Sequence, residues 1–191
     1  MKSIKTKLIS VFFASLILLA FLAGCSKKTV TVINDPELEQ SLYGTWLYAT
    51  RGDSEFWTGP NTSTEQYLGK ATILTENSMS FSENQRFEMS NNTTVESMTL
   101  HEDIYITEEE LKSKIEKSVS ITGSFSVDKD YLELRSESVL VNGKISYTAE
   151  EYSKIDSSFG SIVQTQKWKL SGNSLTVSDL SGGTAVSFAR Q

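Results

Sequence analysis

Over residues 42–191, apolar and polar side chains alternate with a period of two, and turn-forming residues recur at short intervals. Residues 121–127 are typical, because apolar residues or glycine occupy the odd positions and Ser or Thr the even ones. Successive side chains of a β-strand point to opposite faces, so the pattern predicts antiparallel strands with one apolar face. We therefore expect an all-β domain that buries this face inside a closed barrel or a sandwich.

Turn residues divide the domain into short predicted strands. Residues 51–54 are predicted to interrupt the first strand, and Asn91-Asn92 to separate two others. Asn142-Gly143 predicts a hairpin, because both turn positions tolerate positive φ. The predicted strands are residues 43–50, 66–75, 79–82, 86–90, 93–100, 119–127, 131–141, 144–147, 161–170, 174–178 and 184–189.

Two short helices are predicted between the later strands. Thr107 with Glu110, and Thr148 with Glu151, have the spacing of a capping box, in which a hydroxyl and a carboxylate satisfy the first amides of a helix. Helices this short are marginal alone, so we expect them to pack over an edge or an open end of the sheet.

The N-terminal segment has the pattern of an export signal. Lys2, Lys5 and Lys7 precede an uncharged apolar run over residues 8–24. A basic start, an apolar stretch and small residues before a cleavage point describe a secretory signal. A membrane span needs about 20 apolar residues, so the run is marginal as a transmembrane helix.

The motif Leu22-Ala23-Gly24-Cys25 at the end of this run resembles the lipobox of bacterial lipoproteins. The resemblance implies cleavage before Cys25, a lipid on its sulfur and an acyl chain such as palmitate on the new amine. It predicts export and attachment to a bacterial membrane of the cell envelope. The expected divisions are a signal peptide (1–24), a lipid-anchored tether (25–41) and a barrel domain (42–191).

The domain itself resembles lipocalins and bacterial lipocalin-like domains. The resemblance rests on Gly44-Thr45-Trp46, on a hairpin over residues 121–134, on a second hairpin from Trp168 to Val177, and on a closing strand that ends at Arg190. It implies an antiparallel up-and-down β-barrel. It further implies that Trp46 plugs the closed end, with Arg190 across its ring, and that Trp168 is structural.

Five residues are candidates for ligand contact. Phe56 and Trp57 follow the first strand and would line a mouth of the barrel, or simply cover one end of the core. Tyr48, Gln164 and Gln166 fall on the inward phase of their strands. Buried glutamines need hydrogen-bond partners, so they indicate an interior that is not wholly apolar.

Composition and motifs argue against several other functions. The chain has one cysteine, one histidine and a formal net charge of -6, and it lacks a basic run, so nucleic-acid binding is not expected. Because no nucleophile elbow, phosphate loop or dinucleotide motif is present, we expect no enzyme activity and no cofactor. His101-Glu102-Asp103 is the densest titratable cluster, but it is expected to be a solvated connection rather than a metal site.

The sequence as a whole predicts a membrane-anchored lipoprotein that binds a small, partly apolar ligand in the cell envelope. The alternative is a protein-interaction or inhibitor module, in which loops of a filled barrel contact an envelope protein.

Overall fold

A computed structural model describes residues 30–58, 66–102, 104, 106–156, 159–181 and 185–191. The predicted signal peptide, Cys25 and Asp103 lie outside these residues. No helix in the described ranges is long and apolar enough to cross a membrane.

The described residues form nine strands and three short helices. In chain order these are α1 (Pro36–Leu42), β1 (Gly44–Thr58), β2 (Gln66–Ser82), β3 (Arg86–Leu100), α2 (Glu108–Ile115), β4 (Lys117–Val127), β5 (Tyr131–Val141), β6 (Ile145–Thr148), α3 (Ala149–Ile155), β7 (Val163–Ser171), β8 (Ser174–Ser178) and β9 (Ala185–Arg190).

Eight of these strands close into an antiparallel barrel. Each pairs with its neighbour in the order β1-β2-β3-β4-β5-β7-β8-β9, and β9 returns to β1. The inward residues are mostly apolar, so closure buries one face of every strand and removes most free edges. The predicted all-β barrel is confirmed, and its architecture is consistent with a lipocalin-like barrel.

Strand β5 has two partners on one edge. Its first half, from Tyr131 to Arg135, pairs with β7, and its second half, from Ser138 to Val141, pairs with β6. The other edge pairs with β4 along its length. Strand β6 therefore extends the barrel wall lengthwise beyond β7 and is not one of the eight strands of the ring.

The first three strands are longer than predicted. Residues 51–54 do not interrupt β1, and neither β2 nor β3 is divided. The prediction of a break at Asn91-Asn92 is wrong because Asn91 faces inward, where its side chain donates to Asn77 at 2.8 Å. Gly52 continues β1 in register with Ile73 of β2, so the turn-forming composition of this segment does not produce a turn.

The predicted helix starts and hairpin are confirmed. Thr107 and Glu110 form a capping box at α2, and Thr148 and Glu151 form one at α3. The hairpin turn has positive φ at both Asn142 (52°) and Gly143 (63°). The prediction of only two helices is wrong, because Asp35 caps a third helix, α1, within the predicted tether.

Helix α1 lies at the end of the barrel where β1 begins and β9 ends, which we call the plugged end. Trp46 is fully buried there, and its Nε1 donates to the carbonyl of Leu42 at 2.8 Å. The Arg190 guanidinium lies 4.6 Å from the centre of the Trp46 ring, a cation–π arrangement. Arg190 also donates to the carbonyls of Ser41 and Tyr43. This is the arrangement that the lipocalin resemblance implies.

The Glu39 carboxylate ties α1 to this end. It accepts hydrogen bonds from the Tyr43 hydroxyl at 2.6 Å and from the Asn34 amide at 2.7 Å. Asn34 Oδ1 in turn accepts from the amide of Val127 at the end of β4. The hydrogen bond from Tyr43 lowers the pKa of Glu39, so the carboxylate is ionised at neutral pH. The last residues of the predicted tether thus pack against the barrel.

The interior contains two apolar clusters. The main cluster fills the barrel around Trp46, Met79, Met89 and Phe188. The second lies beyond it, where β1, β2 and β3 extend past the other strands and their inner face packs on α2. Its buried residues are Phe56, Leu68, Ala71, Ile73, Val95, Leu111 and Ile115.

Candidate functional site

A group of polar side chains separates the two apolar clusters on the inner wall of β1, β2 and β3. Two rows of directly opposed residues form it, and we call it the inner polar patch. One row is Tyr48, Asn77 and Asn91, and the next is Thr50, Thr75 and Thr93. These rows share the inward phase with Met79 and Met89 on one side and with Ile73 and Val95 on the other.

Hydrogen bonding within the patch is incomplete. Asn77 Oδ1 accepts from Asn91 Nδ2, but Asn77 Nδ2 and Thr75 Oγ1 have no hydrogen-bond partner in the described structure. Both side chains are 1% exposed. A buried polar group without a partner costs about 1–3 kcal/mol, and most native proteins keep few of them. The patch therefore contains one amide donor, Asn77 Nδ2, and one hydroxyl, Thr75 Oγ1, that make no hydrogen bond to the described residues.

A cation on β4 and a phenol on α3 lie close to each other, next to the strand pairing of Thr93. Lys117 is opposite Thr93 in the strand register, and its Nζ lies 3.5 Å from the Tyr152 hydroxyl and 4.0 Å from Asp156 Oδ2. Burial, reinforced by the Asp156 carboxylate, raises the pKa of Tyr152 to about 12. Tyr152 is therefore protonated at neutral pH and donates to Asp156 at 3.2 Å.

The two predicted inward glutamines are buried on β7, on the opposite side of the ring from β2. Gln164 Nε2 donates to the Ser161 carbonyl at 2.9 Å, whereas Gln164 Oε1 has no hydrogen-bond partner in the described structure. Gln166 is opposite Leu132. Polar side chains thus face the interior from β1, β2 and β3 and also from β7, on the opposite side of the barrel.

Of the other three ligand-contact candidates, Tyr48 lies in the inner polar patch, whereas Phe56 and Trp57 do not. Tyr48 lies in the patch and contacts the Phe188 ring edge-to-face at 6.0 Å. Phe56 is buried in the second apolar cluster, near the end of β1. Trp57 lies on the outer face, 44% exposed, with its ring 4.9 Å from that of Tyr67. The two adjacent aromatics point to opposite sides because a strand alternates its side chains.

Trp168 and the His101 cluster have local contacts. Trp168 Nε1 donates to the carbonyl of Asp128 at 2.7 Å, which holds β7 to the β4–β5 turn. His101 is exposed, and its ring contacts Tyr67 edge-to-face at 5.8 Å. Among the residues that the structure covers, no three His, Cys, Asp or Glu side chains are grouped as metal ligands.

Sequence reasoning did not identify five residues of the patch: Thr50, Thr75, Asn77, Asn91 and Thr93. The available signal was the strand phase, because Met79 and Phe81 face inward and the same phase reaches Asn77 and Thr75. Polar residues on that phase are typical of strand ends and turns, so the sequence pattern predicts that the strand stops there.

Comparison with known proteins supplies no family. No protein-family model matches the chain, and no curated protein shows significant similarity to it.

Proposed function

We propose that this protein is an exported bacterial lipoprotein that binds a small molecule non-covalently inside its barrel. The supporting observation is the pair of buried, unpartnered polar atoms in the inner polar patch, Asn77 Nδ2 and Thr75 Oγ1. A ligand that supplies their hydrogen bonds removes an energetic cost that the ligand-free protein carries. The closed barrel is a fold compatible with such binding.

The surroundings of the patch define the chemical class of the ligand. Asn77 Nδ2 needs an acceptor, such as a carbonyl or hydroxyl oxygen, and Thr75 Oγ1 can donate or accept. Met79 and Met89 border the patch on one side, and Ile73 borders it on the other. The expected ligand therefore combines a neutral polar group with an apolar part. Amides and threonine hydroxyls are not general acids or bases, so we propose binding without catalysis.

The ligand prediction is tested by removing the patch hydroxyl. In Thr75→Val the buried unpartnered oxygen is replaced by a methyl group of similar size, so the ligand-free protein should gain about 1 kcal/mol in unfolding free energy. The same variant should lose the ligand. Native mass spectrometry of the full chain, purified in detergent from its host, measures the second effect and denaturant unfolding the first.

Thr72→Val is the matched control, because Thr72 lies on the outer face of the same strand, where its hydroxyl donates to Asp53 at 2.8 Å. This variant should retain the ligand and gain no stability. The binding proposal is wrong if repeated purifications of the natural chain yield no bound small molecule, or if Thr75→Val retains it.

Lipid attachment has its own test. Cys25→Ser should abolish both signal cleavage and membrane partitioning, because the thiol is the proposed attachment point of the lipid and the cleavage site directly precedes it. Radiolabelled palmitate incorporation and fractionation of cells expressing the full chain measure these effects. Ser26→Ala, one residue further, should change neither. Normal processing of Cys25→Ser would exclude the lipoprotein assignment while leaving the ligand proposal intact.

A further inference from the structure

One edge of β1 has no partner strand among the described residues over most of its length. The other edge pairs with β2 from Gly44 to Thr58, but β9 pairs with β1 only at Trp46 and Leu47. Beyond Leu47 no described strand pairs with this edge. Its residues are correspondingly exposed, namely Ala49, Arg51, Gly52, Asp53, Glu55 and Trp57. An open edge of this length is a template for the addition of another strand.

The direction of the free backbone groups follows from one hydrogen bond. The amide of Gln191 donates to the carbonyl of Thr45 at 2.9 Å, so the peptide groups of Thr45 point toward the β9 side. The N–H and C=O groups of one residue point to the same edge of a strand, and those of the next residue point to the opposite edge. The pairing of β1 with β2 is continuous up to Phe56. The free edge therefore presents the N–H and C=O groups of Ala49, Arg51, Asp53 and Glu55.

We propose that this edge pairs with the same edge of a second copy of the chain, antiparallel and centred on Gly52. That register places Arg51 opposite Asp53 of the second copy, and the two-fold symmetry repeats the pair. Ala49 is then opposite Glu55 of the second copy. The opposed residues are those whose backbone groups are free, so the register forms about eight backbone hydrogen bonds.

The side chains on the edge favour a second copy over an unrelated strand. Charged residues on an edge strand normally prevent association, because they meet an uncharged or like-charged partner. Here Arg51 and Asp53 flank Gly52 at equal distance, so self-pairing brings these two opposite charges together, while Glu55 is opposite the uncharged Ala49. The Arg51 side chain is 68% exposed and pairs with Glu96 of its own chain across β2, and Asp53 accepts from Thr72 of β2. Dimerisation would turn both charged groups from these partners toward the second copy. Thr50 opposite Ser54 of the second copy adds a hydroxyl pair on the other face.

Gly52 suits the position on the symmetry axis. Opposed residues in a non-hydrogen-bonded pair have Cα atoms about 4.5 Å apart, the closest approach in an antiparallel sheet. No atom lies within 4 Å of a Cβ built on Gly52, so the site is open. A cysteine at this position would lie within the range of about 4.4–6.8 Å that a disulfide spans.

Cross-linking in membranes of cells that express the full chain tests the register. Mild oxidation of Gly52→Cys should give a disulfide-linked dimer at least about tenfold more abundant than that of Ala49→Cys. Ala49 lies on the same exposed edge, but the two copies of residue 49 would be about 20 Å apart in this register. The natural chain, which retains Cys25, reports any cross-linking through that residue.

Exchanging the charges of Arg51 and Asp53 tests whether their pairing holds the two copies together. Arg51→Asp, added to Gly52→Cys, should reduce the dimer at least about fivefold, because like charges then oppose each other. Adding Asp53→Arg as well should restore it. The proposal is overturned if Gly52→Cys forms no more dimer than Ala49→Cys, if it cross-links to a different protein, or if the exchange does not restore the dimer.

Discussion

Trp46→Ala is expected to lower the free energy of unfolding by about 3–5 kcal/mol, the range found for large aromatic side chains in cores. Trp46 is fully buried and packs in the main cluster. Its loss also leaves the Leu42 carbonyl without its donor and removes the ring beneath Arg190. Because Arg190 binds the carbonyls of Ser41 and Tyr43, the change should loosen α1 as well. Urea unfolding followed by far-ultraviolet circular dichroism measures the loss.

Trp57→Ala is the matched control. Trp57 is 44% exposed and packs mainly on Tyr67, so its removal should cost about 1 kcal/mol or less. Comparable losses in the two variants would contradict the assignment of Trp46 as the plug of the barrel.

Gly123→Ala is expected to cost about 3 kcal/mol, at the upper end of the range for overpacked cores. A Cβ at Gly123 would overlap the carbonyl oxygen of Arg135 and would come within 2.8 Å of Phe87 Cε1. The pairing of β4 with β5 shifts beside Gly123, where Glu137 is the extra residue of a bulge. The carbonyl belongs to backbone held by two neighbouring strands, so it cannot move aside cheaply.

Gly52→Ala provides the comparison, since Gly52 is also a strand glycine but has open space around it and no positive φ. It should change the unfolding free energy by less than about 1 kcal/mol. The change should be stabilising where the alanine lowers the conformational entropy of the unfolded chain. Thermal unfolding of both variants and the natural chain measures the difference. Equal effects would mean that the close approach at Gly123 does not limit the substitution.

The barrel was predictable because its apolar residues follow the strand period. In β4 every second residue from Val119 to Val127 is buried. Strand β8 is predicted from the sequence with its observed bounds, Ser174–Ser178. The capping boxes of α2 and α3 were predictable for a similar reason, because each depends on two residues three positions apart.

Helix α1 was missed although its signal is local. Asp35, Pro36 and Glu37 are a helix cap, a favoured first residue and a favourable charge in the first turn. The segment was interpreted as a tether because it is polar, but Glu39 and Leu42 are buried against the barrel. That burial depends on Trp46 and on the end of β4, which are distant in sequence.

The inner polar patch could not be predicted from local patterns. Thr75 and Asn77 occupy inward positions where the alternation predicts apolar residues, so a local interpretation ends the strand there. Only the pairing of β2 with β1 and β3 along its full length shows that the strand continues. The residues that depart from the pattern are those that the proposed function uses, as is common at binding sites.

The position of α1 also determines how an anchored chain would be oriented. The chain approaches the barrel at its plugged end, where the α1 cap Asp35 donates to the carbonyl of Val127 at 2.7 Å. Helices α2 and α3 and the far halves of β1, β2 and β3 lie at the other end. In a protein anchored at Cys25, as proposed, the tether would therefore join the barrel at its plugged end. The end that carries α2 and α3 would then be the one that the tether does not join.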